Sequence, residues 1–182
     1  MRRLFPVTDQ TADVTDREAA RTHDRTPHRT GGAADREWSL DELAEAYAYP
    51  AGETAWLRAN MVSTLDGAAH HDGRSHPISG ATDMRIFGTL RALADVVIVG
   101  AETVRKEGYR PAKAREVFAR HRAAAGQTEA PAIAVVSAGL DLDFSVPLFT
   151  SPVTPTLLVT GASAPADRVA AAERAGAVVV VA

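Results

Sequence analysis

Large apolar residues become regular only after about residue 37 of this 182-residue chain. The first 37 residues are rich in Thr, Asp, Arg, Ala and Gly, and no periodic pattern lasts in them. Such a segment buries too little apolar surface to offset the conformational entropy that ordering would cost. We therefore predict a disordered tail over residues 1–37 and one α/β domain over residues 38–182.

Amphipathic stretches and continuous apolar runs follow one another through this domain. The pattern predicts helices in SLDELAEAYAYP, TDMRIFGTLRALA and SAPADRVAAAERAG, the last capped by Ser163 and followed by Gly176. KAREVFARHRAAAGQTEA is either a charged helix or a long loop. Strands are predicted in TAWLRANMVS, DVVIVG, PAIAVVS, TPTLLVT and AVVVVA, with DVVIVG buried on both faces. This order of elements predicts an α/β fold with a mostly parallel sheet.

Composition excludes several classes of protein. A hydrophobic content of 46% is enough for a core, and a net charge of -3 gives no reason to expect nucleic acid or an anionic membrane surface as a partner. No apolar run approaches the roughly 20 residues that span a bilayer. The chain has no cysteine, which excludes disulfides and thiolate metal sites and fits a reducing cytoplasm.

The first candidate site is the loop from Asp66 to Gly80, which contains three histidines. Asp66-Gly67 is also a strong turn pair, so a turn after a strand is the simpler interpretation. His70, His71 and His76 lack the helical spacing of a zinc motif, and adjacent histidines point in different directions. We therefore favour exposed loop histidines over a metal site.

The second candidate is GAETVRKEGYRP, which follows the predicted strand DVVIVG. Ligands of open parallel sheets bind beyond the carboxyl ends of strands, and a guanidinium suits a phosphate. A charged, solvated loop is the alternative. VTGASAP resembles the start of a dinucleotide-binding turn but lacks its further glycines, so we interpret it as an ordinary helix cap.

Several motifs together resemble a known family. NMVSTLDGAA, GRSHPISGATD, LRALADVVIVGAETVRKEGYRP and AVVS…LDLD resemble, in order and spacing, the reductase domain of riboflavin biosynthesis, and most closely its stand-alone actinobacterial members. The resemblance begins at Thr54 and runs to the end of the chain. It implies a dihydrofolate-reductase-like fold, in which helices flank a mostly parallel central sheet. It also implies an NADPH-dependent reduction of the ribosyl group of 5-amino-6-(5-phosphoribosylamino)uracil to ribityl.

The resemblance further implies roles for individual residues. Glu107, as a proton donor, and Asp66, in the loop over the nicotinamide, are the catalytic candidates. The cofactor would contact Asn60, Gly67, Ile78 and Ser79. The substrate and its phosphate would be bound by Ser75, Arg91, Thr103 and Arg110. We expect segments 60–80 and 100–111 to form opposite walls of one cleft, which Asp66 and Thr103 share.

The sequence departs from the family in three ways. It lacks the cysteines of the usual N-terminal zinc deaminase, and it has Asn60 where bifunctional bacterial members commonly carry lysine. It also lacks the later strands and the Glu-Gly-Gly-Pro-type turn for the cofactor phosphates, so we expect an incomplete sheet and poor NADPH binding. The full-length form is expected to be a cytoplasmic homodimer. Dihydrofolate reductase-type activity and a non-catalytic truncated module remain the alternatives.

Overall fold

The structure is a computed structural model that describes residues 37–50, 52 and 55–182. The predicted tail lies almost wholly outside these residues. The fold described below is that of the compact unit Leu40–Ala182.

Helices and strands alternate in the described part of the chain. The helices are α1 (Leu40–Ala46), α2 (Ala81–Leu93), α3 (Ala101–Glu107), α4 (Glu116–Ala124), α5 (Pro147–Thr150) and α6 (Ala166–Arg174). The strands are β1 (Val96–Gly100), β2 (Ala132–Val136), β3 (Leu157–Thr160) and β4 (Val178–Val181). The predicted α/β class is therefore confirmed. None of the described helices combines the length and apolar character needed to cross a membrane.

The four strands form one parallel sheet in the order β1-β2-β3-β4. The register aligns Val99 with Val135, Val135 with Leu158 and Leu158 with Val179, so these four side chains share one face. This face contacts the main hydrophobic core, which includes the fully buried Leu148 and Phe149. Burial of this face is the main source of stability for the sheet.

The opposite face of the sheet is partly open to solvent. Five of its side chains, from β1, β2 and β4, are 40 to 61% exposed, whereas Ala132 and Ala134 on the same face are buried: the exposed ones are Val96, Ile98, Val136, Val178 and Val180. The prediction that DVVIVG is buried on both faces is therefore wrong. The reason is that β1 is an edge strand with β2 as its neighbour, and the core packs against one face of the sheet.

The predicted strand TAWLRANMVS is also not observed, because residues 55–64 form no ladder. A strand needs a partner about 4.8 Å away, and a cavity lies between residues 55–60 and β1. Trp56, Leu57 and Met61 are 59%, 84% and 86% exposed, so packing does not favour one register over another. The apolar pattern was correct for a strand, but the described residues provide no neighbour for it.

The two ends of helix α6 test the predicted helix caps. Helix α6 begins after Pro165 and has no side-chain cap, so the expected cap at Ser163 is wrong. The expected glycine after its end is confirmed, because Gly176 has φ 99° and follows Ala175.

Arg122 fixes the end of α2 against α4. Its side chain is 3% exposed and donates hydrogen bonds to the carbonyls of Ala92 (2.8 Å), Ala94 (2.8 Å) and Thr128 (2.6 Å). The Ala92 and Ala94 carbonyls lie at the C-terminal end of α2, where the last carbonyls of a helix have no helical partner, so the guanidinium satisfies them and interacts favourably with the helix dipole. Burial lowers the pKa of Arg122, an effect that the nearby charge of Asp95 opposes.

Candidate functional site

A cavity of about 730 Å³ lies between residues 55–60, the C-terminal half of α2 and the edge strand β1. Its floor includes apolar side chains of β1, and its rim carries four aromatic residues, Tyr49, Trp56, Phe87 and Tyr109. The charged residues among its lining are Arg58, Arg91 and Asp95, two cations and one anion. The cavity therefore combines aromatic surface with a net positive charge.

Arg91 is held between two aromatic rings at this cavity. Its guanidinium carbon lies 5.3 Å from the ring centroid of Phe87 and 5.0 Å from that of Tyr109. It also donates a hydrogen bond from Nη1 to the Tyr109 hydroxyl. Two rings and one hydrogen bond limit the rotamers of this long side chain, so its charge is fixed in place. Arg91 lines the cavity, and its expected role in substrate binding stays a prediction.

Arg58, on the segment 55–64, is held in a similar way. Its guanidinium carbon lies 4.5 Å from the ring centroid of Tyr49 and 5.9 Å from that of Tyr47, and Nη1 donates to the Tyr47 carbonyl at 2.6 Å. Asn60, two residues further along this segment, also lines the cavity.

Hydrogen bonds between Ser75 and Glu107 join segments 60–80 and 100–111, which were expected to form one cleft. The Ser75 backbone N–H donates to Glu107 Oε1 at 3.1 Å, and the Ser75 hydroxyl lies 3.4 Å from the same oxygen. Glu107 is the last residue of α3, so it ties the loop after residue 66 to the C-terminal end of that helix. Ile78 and Ser79 follow in a 3₁₀ turn, and the Ser79 hydroxyl donates to the Ser75 carbonyl at 3.4 Å.

Asp66 and Gly67 form an exposed turn. The Thr64 hydroxyl bonds to the Asp66 carboxylate, and Gly67 has φ 87°, a conformation that favours glycine. That hydrogen bond from Thr64, followed by one from the backbone of Ala68, lowers the pKa of Asp66 from its usual value. The carboxylate form is therefore favoured by its own turn, which agrees with the simpler interpretation of this motif.

The predicted site residues thus fall into separate groups. Asn60 and Arg91 line the cavity, whereas Asp66, Gly67, Ser75, Ile78, Ser79, Thr103, Glu107 and Arg110 do not. Thr103 and Arg110 are exposed. Asp66 and Thr103 do not share this cavity, and the cleft expected between their segments stays a prediction, although Ser75 and Glu107 do connect the two segments.

Most cavity residues were missed from the sequence, among them Arg58, Phe87 and Tyr109. Their positions at the cavity depend on contacts across the fold, which no local motif encodes. Metal binding is not indicated, because no group of three or more His, Asp or Glu side chains in the described residues is suited to an ion. His71 instead pairs with Arg74 through the backbone and lies 3.5 Å from the Asp72 carboxylate.

Comparison with known proteins gives a family match and a similar solved structure. Residues 55–181 match the family described as the RibD C-terminal domain. A solved structure of a pyrimidine reductase-like protein from Corynebacterium diphtheriae is similar, with a TM-score of 0.59 and 31% sequence identity. The match covers 66% of this chain and 52% of that one, so the chain spans about half the length of the relative. No curated protein matches the chain.

Proposed function

The chain belongs to the RibD C-terminal domain family, the pyrimidine reductase domain of riboflavin biosynthesis, and on that basis we propose that it takes part in the NADPH-dependent reduction of 5-amino-6-(5-phosphoribosylamino)uracil. The single observation that carries this proposal is the family match over residues 55–181. The reaction would convert the ribosyl group of the substrate to a ribityl chain.

The cavity supports a substrate of this kind. A uracil ring is planar and apolar on its faces, and Tyr49, Trp56, Phe87 and Tyr109 offer aromatic surfaces for it. A phosphate needs fixed cationic donors, and Arg91 is fixed between two rings. Binding energy gained at the phosphate would help to hold the reacting ribosyl carbon in place.

The described residues do not by themselves fit NADPH. Of the four residues expected to contact it, Asn60 lines the cavity, Gly67 lies in an exposed turn, and Ile78 and Ser79 belong to the turn beside Ser75. NADPH would supply the hydride when bound, but these residues form no common surface for its long dinucleotide. We therefore propose that this chain provides the substrate side, and that parts present in longer relatives provide the cofactor side.

Glu107 does not line the cavity to which we assign the substrate, so we give it no proton-transfer step there. Because its Oε1 accepts hydrogen bonds from Ser75, the carboxylate holds the loop of residues 66–80 beside α3. A cytoplasmic location and a homodimer of the full-length form also remain proposals.

Calorimetry with the 182-residue chain tests the proposal. We expect saturable binding of 5-amino-6-(5-phosphoribosylamino)uracil, weak or no binding of NADPH, and no binding of dihydrofolate. Arg91→Gln should weaken binding of the pyrimidine substrate about tenfold, which corresponds to about 1.4 kcal/mol. Arg120→Gln, an exposed arginine outside the cavity, is the matched control and should leave affinity unchanged.

Three results would count against the proposal. Tighter binding of dihydrofolate than of the pyrimidine compound would favour dihydrofolate reductase-type activity. Failure to bind either compound would favour a non-catalytic module. Tight, saturable NADPH binding would contradict the division into a substrate side and a cofactor side.

A further inference from the structure

The cavity contains a second fixed cation that no sequence motif indicated. Arg58 and Arg91 come from different elements, the segment 55–64 and helix α2, and both line this cavity. Arg58 stacks on the Tyr49 ring and donates a hydrogen bond to the Tyr47 carbonyl. Arg91 stacks on the Tyr109 ring and donates a hydrogen bond to the Tyr109 hydroxyl. Arginine side chains that only face solvent keep most of their rotamer freedom, so it is unusual for two of them to be restrained by both ring stacking and a hydrogen bond.

Both guanidinium groups retain donors for a ligand. A guanidinium has five N–H donors, and within residues 37–50, 52 and 55–182 each of these two groups makes one hydrogen bond. Neither has a carboxylate within ion-pair distance in that part of the chain. Several directed donors of each therefore remain available, in the planar arrangement that suits phosphate oxygens.

Asp95 is the acidic residue of the lining and opposes this charge only in part. It stands at the start of β1, and its backbone carbonyl accepts a hydrogen bond from Ala132 N–H at 3.0 Å. Its charge also acts on Arg122. Two guanidinium groups and one carboxylate leave the cavity with a net charge of +1 before a ligand binds. A ligand with two negative charges on one group would be favoured over a neutral or singly charged one.

We propose that Arg58 is a second phosphate-binding residue, which acts with Arg91 to select a pyrimidine compound that carries a phosphate monoester. This inference rests on the proposed function, because it assigns the cavity to the same substrate. It adds Arg58 as a specificity-determining residue and gives a physical reason why the phosphorylated compound is preferred over the uncharged nucleoside. Two fixed guanidinium groups recognise the dianion, whereas the uncharged nucleoside leaves their donors without a partner.

Binding of uridine 5′-monophosphate and of uridine to the 182-residue chain, measured by calorimetry at constant salt, tests this inference. The wild-type chain should bind the nucleotide at least tenfold more tightly than the nucleoside. Arg58→Gln should weaken nucleotide binding about tenfold and change nucleoside binding less than twofold. Arg58→Lys should recover part of the loss, because a lysine keeps the charge but not the planar donor geometry. Arg120→Gln is the control for net charge.

The outcomes separate this inference from the function on which it rests. If the wild-type chain prefers the nucleotide and Arg58→Gln leaves that preference unchanged, the role of Arg58 is refuted and the substrate site stands. If Arg58→Gln weakens both compounds equally, Arg58 only holds residues 55–60 against Tyr47 and Tyr49, and the inference is again refuted. If the wild-type chain binds neither compound, the substrate assignment of the cavity fails as well. Circular dichroism of each variant verifies that it is folded.

Discussion

Replacing Arg122 with methionine should destabilise the fold more than replacing any exposed arginine. Methionine keeps much of the buried volume but removes three hydrogen bonds, to the carbonyls of Ala92, Ala94 and Thr128. A net value of about 1 kcal/mol for each bond gives a loss of about 3 kcal/mol in the free energy of unfolding. That is a large part of the 5–15 kcal/mol of a typical domain.

Urea unfolding followed by circular dichroism measures this loss. With a slope of about 2 kcal/mol per molar urea, the midpoint for Arg122→Met should fall by about 1.5 M. Arg120→Met is the matched control on the same helix, and it should stay within about 0.5 kcal/mol of the wild type because Arg120 is exposed. Should Arg122→Met fail to fold, Arg122→Lys should give a smaller and measurable loss, since an ammonium retains the charge but not the fork of donors.

The reasoning would be refuted if Arg122→Met cost less than about 1 kcal/mol. That result would mean that the carbonyls at the end of α2 find water instead, and that burial of the guanidinium offsets what its hydrogen bonds contribute. The unpartnered Nη2 of Arg122 in the described residues already shows that the site is not ideal for this group.

Three further predictions concern the loops around the site. Glu107→Ala should raise the amide hydrogen exchange rate of Ser75 several-fold, because Glu107 accepts the Ser75 N–H; an unchanged rate would show that this contact does not persist in solution. An NMR titration should place the pKa of Asp66 below the ordinary value of an aspartate, and Thr64→Ala should raise it; a variant with the same pKa would contradict the assigned cause. Since folding lowers this pKa, the stabilisation is complete above the unfolded-state pKa and is lost as the pH falls through the folded-state value. Gly108→Ala should cost about 1 kcal/mol in urea unfolding through backbone strain alone, because Gly108 has φ 60° and its missing Cβ would meet no atom within 4 Å; a variant as stable as the wild type would refute this.

Sequence patterns predicted the elements of this fold well where local chemistry decides them. Helix α2, the buried strand β2 and the glycine after α6 were found from periodicity, a β-branched run and a helix stop signal. The strand expected over residues 55–64 was wrong because pairing depends on a neighbouring strand rather than on the segment itself. The burial of β1 also depends on neighbouring elements. Its β-branched run is typical of a strand buried on both faces, but β1 lies at the edge of the sheet.

The candidate site was predicted only in part, for a similar reason. Arg91 was assigned to the substrate by the family resemblance, and it does line the cavity. The Ser75–Glu107 contact joins residues 32 positions apart and follows from the fold rather than from any motif. Arg58 and Tyr109 reach the cavity through stacking and hydrogen bonds that no periodicity encodes. Tertiary contacts, rather than local motifs, therefore determine which side chains meet at the cavity.

The exposed valine and isoleucine side chains on the second face of the sheet also affect how stability varies with temperature. Apolar groups that are already hydrated in the native state add nothing to the heat capacity change of unfolding. That change should therefore fall below the roughly 12–15 cal/mol/K per residue of ordinary domains. A smaller heat capacity change flattens the curve of unfolding free energy against temperature, so cooling and warming would alter the stability of this chain less than that of a fully covered sheet.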